Sequence, residues 1–479
     1  MRQVLLIDIP VVPVELPPQA QHHIRRKLLL ESMLRQSKLP GVICPAIPYT
    51  RGLLIVAAAL KKAGIVVNYV VWSDPKDRCR IKDFARSASV VGISCMTSGH
   101  DVAASIATQV RALNPQTCIV LGGPHATALG SQLFETMPAL DAVVKGDGHF
   151  AMVDIAQSAP MLDGIAGVAT RAWPDPAIRH EQYSDSPIPA YELLYRSLDE
   201  YAHSLRTFHG CPYSCSFCVE GLTWREGSVR NIETVYDELT HLFCSIPKGT
   251  LIHFSDPVFN IDSRRTAVLC DWLSNNAPYF YFSMDTRIDL LSTERVDVLR
   301  RAGFRYFRVG VESLLPDLLD KAHKGWDPMQ VYDSLGAIRE SAPDSIIHAY
   351  WITGLPGSTH DTTEQSIEDA KNLLQSNLID ILSNKVLVPY PGTNYYAAPN
   401  KFGMQLLEKS WSAYDRLSVP VFNLDTISAE EIYRCFCRTE IIAAEALEQR
   451  FEVISEPINS TRYVETYKSI AYLNAENKL

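Results

Sequence analysis

Cys211, Cys215 and Cys218 stand in the pattern CxxxCxxC inside the stretch FHGCPYSCSFCVEG. A closed zinc site takes four ligands, usually as two paired hooks, and no second hook follows within finger distance, so zinc would need a remote fourth ligand. A 4Fe-4S cluster offers another use for the same thiols. Three nearby thiolates hold three of its irons and leave the last one open to a substrate or a small chelating ligand. The missing fourth cysteine is then the functional feature. Gly210 and Pro212 suit the tight turn such a loop needs, and Phe217 can shield a cluster edge.

A loop of this kind must be carried on a rigid frame. After LRTFHGC the chain offers TLIHFSD, YFYFSMDTR, FRYFRVGVES, IIHAYWITGLPG and ILSNKVLVPYPG, separated by helical stretches such as NIETVYDELTHLF, TERVDVLRRAG, QVYDSLGAIRES and TTEQSIEDAKNLLQ. Six strand-helix units in succession describe a barrel or partial barrel over residues 201–395, with its chemistry at the carboxyl ends of the strands. Those ends are read as Ser255 and Asp256 for the second strand, Ser283 and Arg287 for the third, Glu312 and Ser313 for the fourth, and Gly354 and Gly357 for the fifth.

Upstream, residues 1–150 alternate short β-branched runs (QVLLIDIP, VVNYVVWSD, SVVGISCM, CIVLGGP, LDAVVKGDG) with helical GLLIVAAALKKAG and DVAASIATQVRALN. Strands buried on both faces and separated by helices predict a doubly wound, Rossmann-like α/β domain whose ligand crevice lies beyond the strand ends. Those ends carry Ser94, Thr97 and Ser98, then Gly122, Gly123 and His125, then Gly146 and Gly148. Small residues there let a flat, bulky ligand approach the backbone; turn glycines of any α/β domain would look the same. No GxGxxG follows the first strand, which disfavours a dinucleotide. Residues 151–200, rich in Pro, Asp and Ser, read as a linker.

The 479 residues exceed what one core usually supports, which agrees with this division. An excess of 54 acidic over 45 basic side chains, without a basic block, argues against nucleic acid as a partner. No apolar run reaches the length of a membrane span, and the chain reads as cytoplasmic. Eleven cysteines are too sparse for a disulfide scaffold.

The CxxxCxxC pattern with an aromatic before its last cysteine resembles the signature of the radical S-adenosylmethionine (SAM) enzymes. VGVES, GLPG and VPYPGT are similar to that family's fourth-, fifth- and sixth-strand motifs, so the likeness covers residues 201–395. The resemblance implies that the open iron chelates SAM and that reduction cleaves it to a 5′-deoxyadenosyl radical. It implies a SAM site from Phe217, Ser255, Asp256, Ser283, Arg287, Glu312 and Gly354, in which Arg287 suits the carboxylate, the acids suit ribose or amine, and glycine suits adenine. An external one-electron reductant of flavodoxin or ferredoxin type follows.

GGPHAT and VVKGDGHF resemble the strand-end loops of the cobalamin-binding subgroup of that family, as does the helix start after Pro48 and Tyr49. The resemblance implies cobalamin on Ser94, Thr97, Ser98, Gly122, Gly123, His125, Gly146 and Gly148. Two departures stand out. No DxHxxG loop supplies a histidine to cobalt, and His149 stands where the subgroup often has glutamate. The implied activity is methylation of an unactivated carbon of a small metabolite or natural-product intermediate. Rearrangement, oxidation or transfer of another SAM fragment are alternatives, as is a sensor without turnover. Residues 396–479 read as a mainly helical cap that shapes the substrate pocket, with a helix start at Ser428 and Glu431. Cys435 and Cys437 fall on different faces of that helix and read as packing residues, with a reactive thiol or a soft metalloid substrate as the alternative. His209, Tyr213 and Tyr390 stand near the expected site without an assigned role.

Overall fold

The computed structural model describes residues 2–10, 16, 18–220 and 227–453. Residues 454–479 of the expected C-terminal cap lie outside the described residues. Among the described residues, no helix is long and apolar enough to cross a membrane.

The first sheet runs β2 (Val66–Val71), β1 (Gln3–Ile9), β3 (Val90–Cys95), β4 (Cys118–Gly122), β5 (Ala142–Val144), β6 (Val168–Ala169), parallel except for β6. Its strands are apolar on both faces because helices cover both. Leu6, Val120 and Val144 pack under helix α2 (Arg51–Lys62) and helix His149–Ser158. Leu5, Ile93 and Leu121 pack under helices Ile81–Ser87 and His100–Leu113. The strand order reverses beside β1, which leaves a crevice between the ends of β1 and β3.

The second sheet is wholly parallel: β7 (Ser204–Leu205), β10 (Leu251–Phe254), β11 (Tyr281–Arg287), β12 (Phe304–Glu312), β13 (Ile346–Thr353) and β14 (Ile381–Val386). The short ribbon β8 (Phe208–His209) and β9 (Ser228–Val229) brackets the cysteine loop. Phe254, Phe282, Phe304 and Trp351 face outward into the core beneath the helices. Asn231, Asp262, Ser292, Asp327 and Thr359 each cap the helix that follows a barrel strand. Each such cap is worth about 1 kcal/mol and fixes where the strand-end loop must finish.

Helix α1 (Pro18–Lys38) lies in the stretch between β1 and β2, yet it packs on the barrel. Ala20 and Ile24 meet Val386 near the carboxyl end of β14, whereas Leu30 and Leu34 meet Ile346 and Ile381 at strand starts. Six strands do not close a barrel, and α1 runs down its open side. The strand pairs β15 (Met404–Leu406) and β16 (Phe422–Leu424) form an antiparallel ribbon before the C-terminal helix Ala429–Val453. That helix starts as expected: Ser428 N–H donates to Glu431 Oε2 (2.8 Å) and Glu431 N–H donates to Ser428 Oγ (3.3 Å).

Candidate active site

The crevice of the first sheet opens into a cavity of about 360 Å³. Ser94, Gly122, Gly123, Gly146 and Gly148 line it from the first domain, and Arg206, His209, Val219, Glu220 and Ser255 line it from the second. The strand ends of one sheet and the flank of the cysteine loop therefore share one space. Thr97, Ser98 and His125 do not line it. Thr97 and Ser98 belong to the turn after β3. His125 is buried, with its Nε2 3.0 Å from His100 Nδ1 and its ring 5.0 Å from Trp411. Burial, and His100 beside it, push His125 down to about 3, so it stays neutral.

At Gly122 a Cβ would meet nothing within 4 Å, so packing does not require glycine there. The bare backbone instead faces the cavity, as a flat ligand such as a corrin needs. Gly123 differs: at φ +99° its Cβ would stand 2.9 Å from the Cys95 carbonyl, so that glycine serves the turn.

Arg51, at the start of α2, also lines the cavity. It pairs with the buried Glu238 (2.8 Å) and donates to the Tyr183 hydroxyl (3.1 Å). His209 Nε2 lies 3.6 Å from Asp147 Oδ1, and burial followed by the Arg206 charge pushes His209 down to about 4. Sequence reading gave Arg51, Arg206 and Glu220 no role; only their place beside the quoted motifs signalled them.

Cys211 is buried, Cys215 and Cys218 are half-buried, and all three are unbridged. Burial pushes the Cys218 thiol up to about 12, so forming its thiolate would be coupled to metal binding. Among the described residues no three His, Cys, Asp or Glu side chains converge on the point where a single ion would sit. A cubane has separate iron corners, so the thiolates that hold it stand apart. The loop is pinned by Ser216, whose N–H donates to the Ala322 carbonyl (3.0 Å) and whose hydroxyl bonds His323 Nδ1 (2.9 Å).

Arg287 ends β11 with its guanidinium 3.7 Å over the Tyr213 ring and 4.8 Å from Trp326. It donates to Asp289 (2.9 and 3.0 Å) and to the Lys324 carbonyl (2.9 Å), while its buried Nη1 has no partner among the described residues. Glu312 ends β12 in the left-handed region, φ 67°, and pairs with Lys324 at 3.0 Å. Gly310 makes this possible: a Cβ there would lie 2.8 Å from Glu312 Oε1. Lys324 also stands 5.4 Å from the ring of Phe217. Neither Lys324 nor His323 was legible as a site residue.

Three expected contacts sit elsewhere. Asp256 is fully buried; its Oδ1 accepts from Thr207 N–H (2.9 Å), Thr207 Oγ (3.0 Å) and Phe208 N–H, so it holds the approach to the cysteine loop from beneath. Ser283 is near the start of β11, roughly 13 Å below Arg287 along the strand. It bonds His253 Nδ1 (3.0 Å) on the inner face of the barrel and is no strand end. Gly354 does follow β13, but a Cβ there would stand 2.7 Å from Ile432 Cγ2, so the glycine admits the C-terminal helix.

Two family models match the chain: the B12 binding domain over residues 44–156 and the radical SAM superfamily over residues 205–370. An uncharacterised methyltransferase of Pyrococcus horikoshii is 28% identical over 369 residues, covering 72% of this chain and 76% of that protein. The anaerobic magnesium-protoporphyrin IX monomethyl ester cyclase of Rubrivivax gelatinosus is 24% identical, over 62% of this chain and 56% of the cyclase. The chain thus spans little more than half the length of that relative. The fold is similar to that of the cobalamin-dependent SAM radical enzyme OxsB, with a TM-score of 0.66 at 14% identity, covering 99% of this chain and 84% of the other. It is also similar to the radical SAM methyltransferase TsrM from Kitasatospora setae, with a TM-score of 0.63 at 18% identity over 87% of this chain and 83% of that one. With a B12-binding domain set before a radical SAM barrel and both opening on one cavity, the chain belongs to the cobalamin-binding radical SAM enzymes, which use a 4Fe-4S cluster, SAM and cobalamin.

Proposed function

We propose that this enzyme transfers a methyl group from SAM to an unactivated carbon of a small molecule. The observation that carries the reading is the shared cavity: the bare backbone at Gly122 and the flank of the cysteine loop at Val219 and Glu220 line one space. When bound, the cluster supplies reductive cleavage of SAM to a hydrogen-abstracting radical, and cobalamin supplies a carrier for the methyl group.

The chain's own residues bind and orient. Cys211, Cys215 and Cys218 hold the cluster. The open Nη1 of Arg287 receives the SAM carboxylate, and Glu312, held in place by Lys324, faces its amine or ribose. Phe217, packed with Leu318 and Leu355, keeps water from that side. Ser94, Gly122, Gly123, Gly146 and Gly148 form the cobalamin floor, and Ser255 stands at the seam. An external one-electron reductant and a small-molecule substrate complete the system.

Each methyl transferred consumes two SAM molecules: one leaves as S-adenosylhomocysteine, the other as methionine and 5′-deoxyadenosine. The test is anaerobic protein reconstituted with iron and sulfide, incubated with hydroxocobalamin, desalted, then given SAM and a strong reductant. The expected result is stoichiometric corrin absorbance beside the cluster band, with both SAM products formed. Retained cobalamin and 5′-deoxyadenosine without S-adenosylhomocysteine would overturn methyl transfer in favour of another radical outcome. A cluster without retained cobalamin would overturn the two-cofactor reading.

A further inference from the structure

Tyr183 and Ser186 belong to the stretch 151–200 that reads as a linker, yet both line the cavity shared by the two domains. Local bonding fixes them there. Tyr183 N–H donates to Ser228 Oγ of β9 (3.1 Å), and Ser186 N–H donates back to the Tyr183 carbonyl (3.1 Å), which closes a turn between them. The Tyr183 hydroxyl accepts from Arg51 at the start of α2 (3.1 Å) and donates to the carbonyl of Arg206, the residue after β7 (3.4 Å). Its ring lies 5.2 Å from that of His209. The segment is thus held from both domains and forms part of the cavity wall.

Two other hydroxyls of the cavity are already used. Thr127 Oγ1 donates to the Gly123 carbonyl (3.0 Å) and accepts from Gly146 N–H (3.1 Å), and Ser255 Oγ donates to the Leu205 carbonyl (3.3 Å). Ser186 differs: it is 2% exposed, and its buried Oγ has no partner among the described residues. Arg206, which also lines the cavity, supplies a second such atom. Its Nη1 donates to His209 Nδ1 (3.3 Å) and its Nη2 to Glu220 (3.1 Å), while its buried Nε has no partner among the described residues. A buried donor without an acceptor is unfavourable, and an acceptor on a molecule in the cavity would complete each of these two. With the Arg206 charge already met by Glu220, neutral acceptors suit the wall better than a carboxylate or a phosphate.

The rim of a corrin carries acetamide and propionamide groups, whose carbonyls are neutral acceptors. We infer that Ser186 is a cobalamin-binding residue: its hydroxyl donates to an amide carbonyl at the corrin rim, which makes the segment between the two domains part of the cofactor site. Arg206 Nε offers a second donor on the same wall. The inference rests on the proposed function in taking this cavity for the cobalamin site. It adds a contact that neither family match contains, since the B12-binding match ends at residue 156 and the radical SAM match begins at residue 205.

The test uses the full chain with its cluster reconstituted, and no turnover. Parent and Ser186→Ala are dialysed against graded hydroxocobalamin to give a Kd for each, and the denaturant midpoint of each is measured without cobalamin. The expected result is a Kd about three- to ten-fold weaker in the variant, the loss of one hydrogen bond, with a midpoint equal to or above that of the parent. The two readouts move apart because the variant loses a bond made only to the ligand and sheds a hydroxyl that is unbonded without it. An unchanged Kd would overturn the inference, since the hydroxyl then holds no more than an internal water. A weaker Kd with a lower midpoint would overturn it too, because Ser186 would then serve the fold. A parent that binds no hydroxocobalamin would overturn the reading of the cavity itself, and so the two failures are distinguishable.

Discussion

Arg287 has a buried Nη1 that a carboxylate would complete, and its planar fork is held by two aromatic rings and the Asp289 carboxylate. Losing a charged hydrogen bond of this kind costs about 1.5–3 kcal/mol. Arg287→Met should therefore weaken SAM binding about 10- to 100-fold in equilibrium dialysis on the reconstituted protein, with the cluster absorbance retained. Unchanged affinity would remove Arg287 from the site. Asp256 tests a different part. Burial pushes its carboxyl up to about 6, so the folded state favours the protonated acid. The raised value means that this stabilisation is complete below about pH 4 and is lost as pH rises toward 6. Asp256→Asn mimics the protonated acid. The stability of the variant relative to the parent should thus rise by on the order of 2–3 kcal/mol between pH 4 and pH 7, measured by denaturant unfolding of the apoprotein. A flat difference would show that Asp256 is ionised at little cost. Residue types marked the cysteine loop, Arg287 and Glu312 in the sequence because each carries its chemistry in a short string. Ser283 and Lys324 were not legible: the depth of one and the partner of the other depend on register between strands and on a loop that returns from β12.

Among elements, the barrel strands and their helices could be read because short, largely buried strand segments alternate with amphipathic helical stretches along the chain. Helix α1 could not. Its sequence PQAQHHIRRKLLLESMLRQSK carries charge in every turn from Arg25 onward, and the charges at Lys27 and Glu31 make sense only against Glu440, some 400 residues later. Tertiary pairing overrides local amphipathicity there. Removing one member of a buried pair leaves an uncompensated charge, at a cost of about 3–5 kcal/mol. Lys27→Met should lower stability by that amount in chemical denaturation, and Lys27→Met with Glu440→Leu should recover most of it. If the double variant is no better than the single one, the buried pair does not set the position of α1.

At the scale of the molecule, the two domains are joined by charge as well as by their common cavity. Glu238 is fully buried between Arg51 of the first domain and Arg230, with the Tyr191 hydroxyl on its Oε1 (2.7 Å). Glu238→Leu strands two buried guanidinium groups and should cost about 3–5 kcal/mol. Hydrogen exchange should rise in α2 and in helix Ile232–Ser245 together; a rise confined to one of them would place the coupling elsewhere. The strand-end motifs foretold that two sites would meet, but not this clasp, since an arginine beside Pro48 and Tyr49 carries no mark of its distant partner.

The path of α1 also has a consequence in time. Helix α1 is synthesised before any barrel strand, whereas the helix Ala429–Val453 that packs on it is made about 390 residues later, roughly 20–80 s at ordinary elongation rates. This helix thus leaves the ribosome well before the strands and the helix on which it packs. The packing of α1 on the barrel therefore stays incomplete until Ala429–Val453 has been made, long after Cys211, Cys215 and Cys218 have been synthesised.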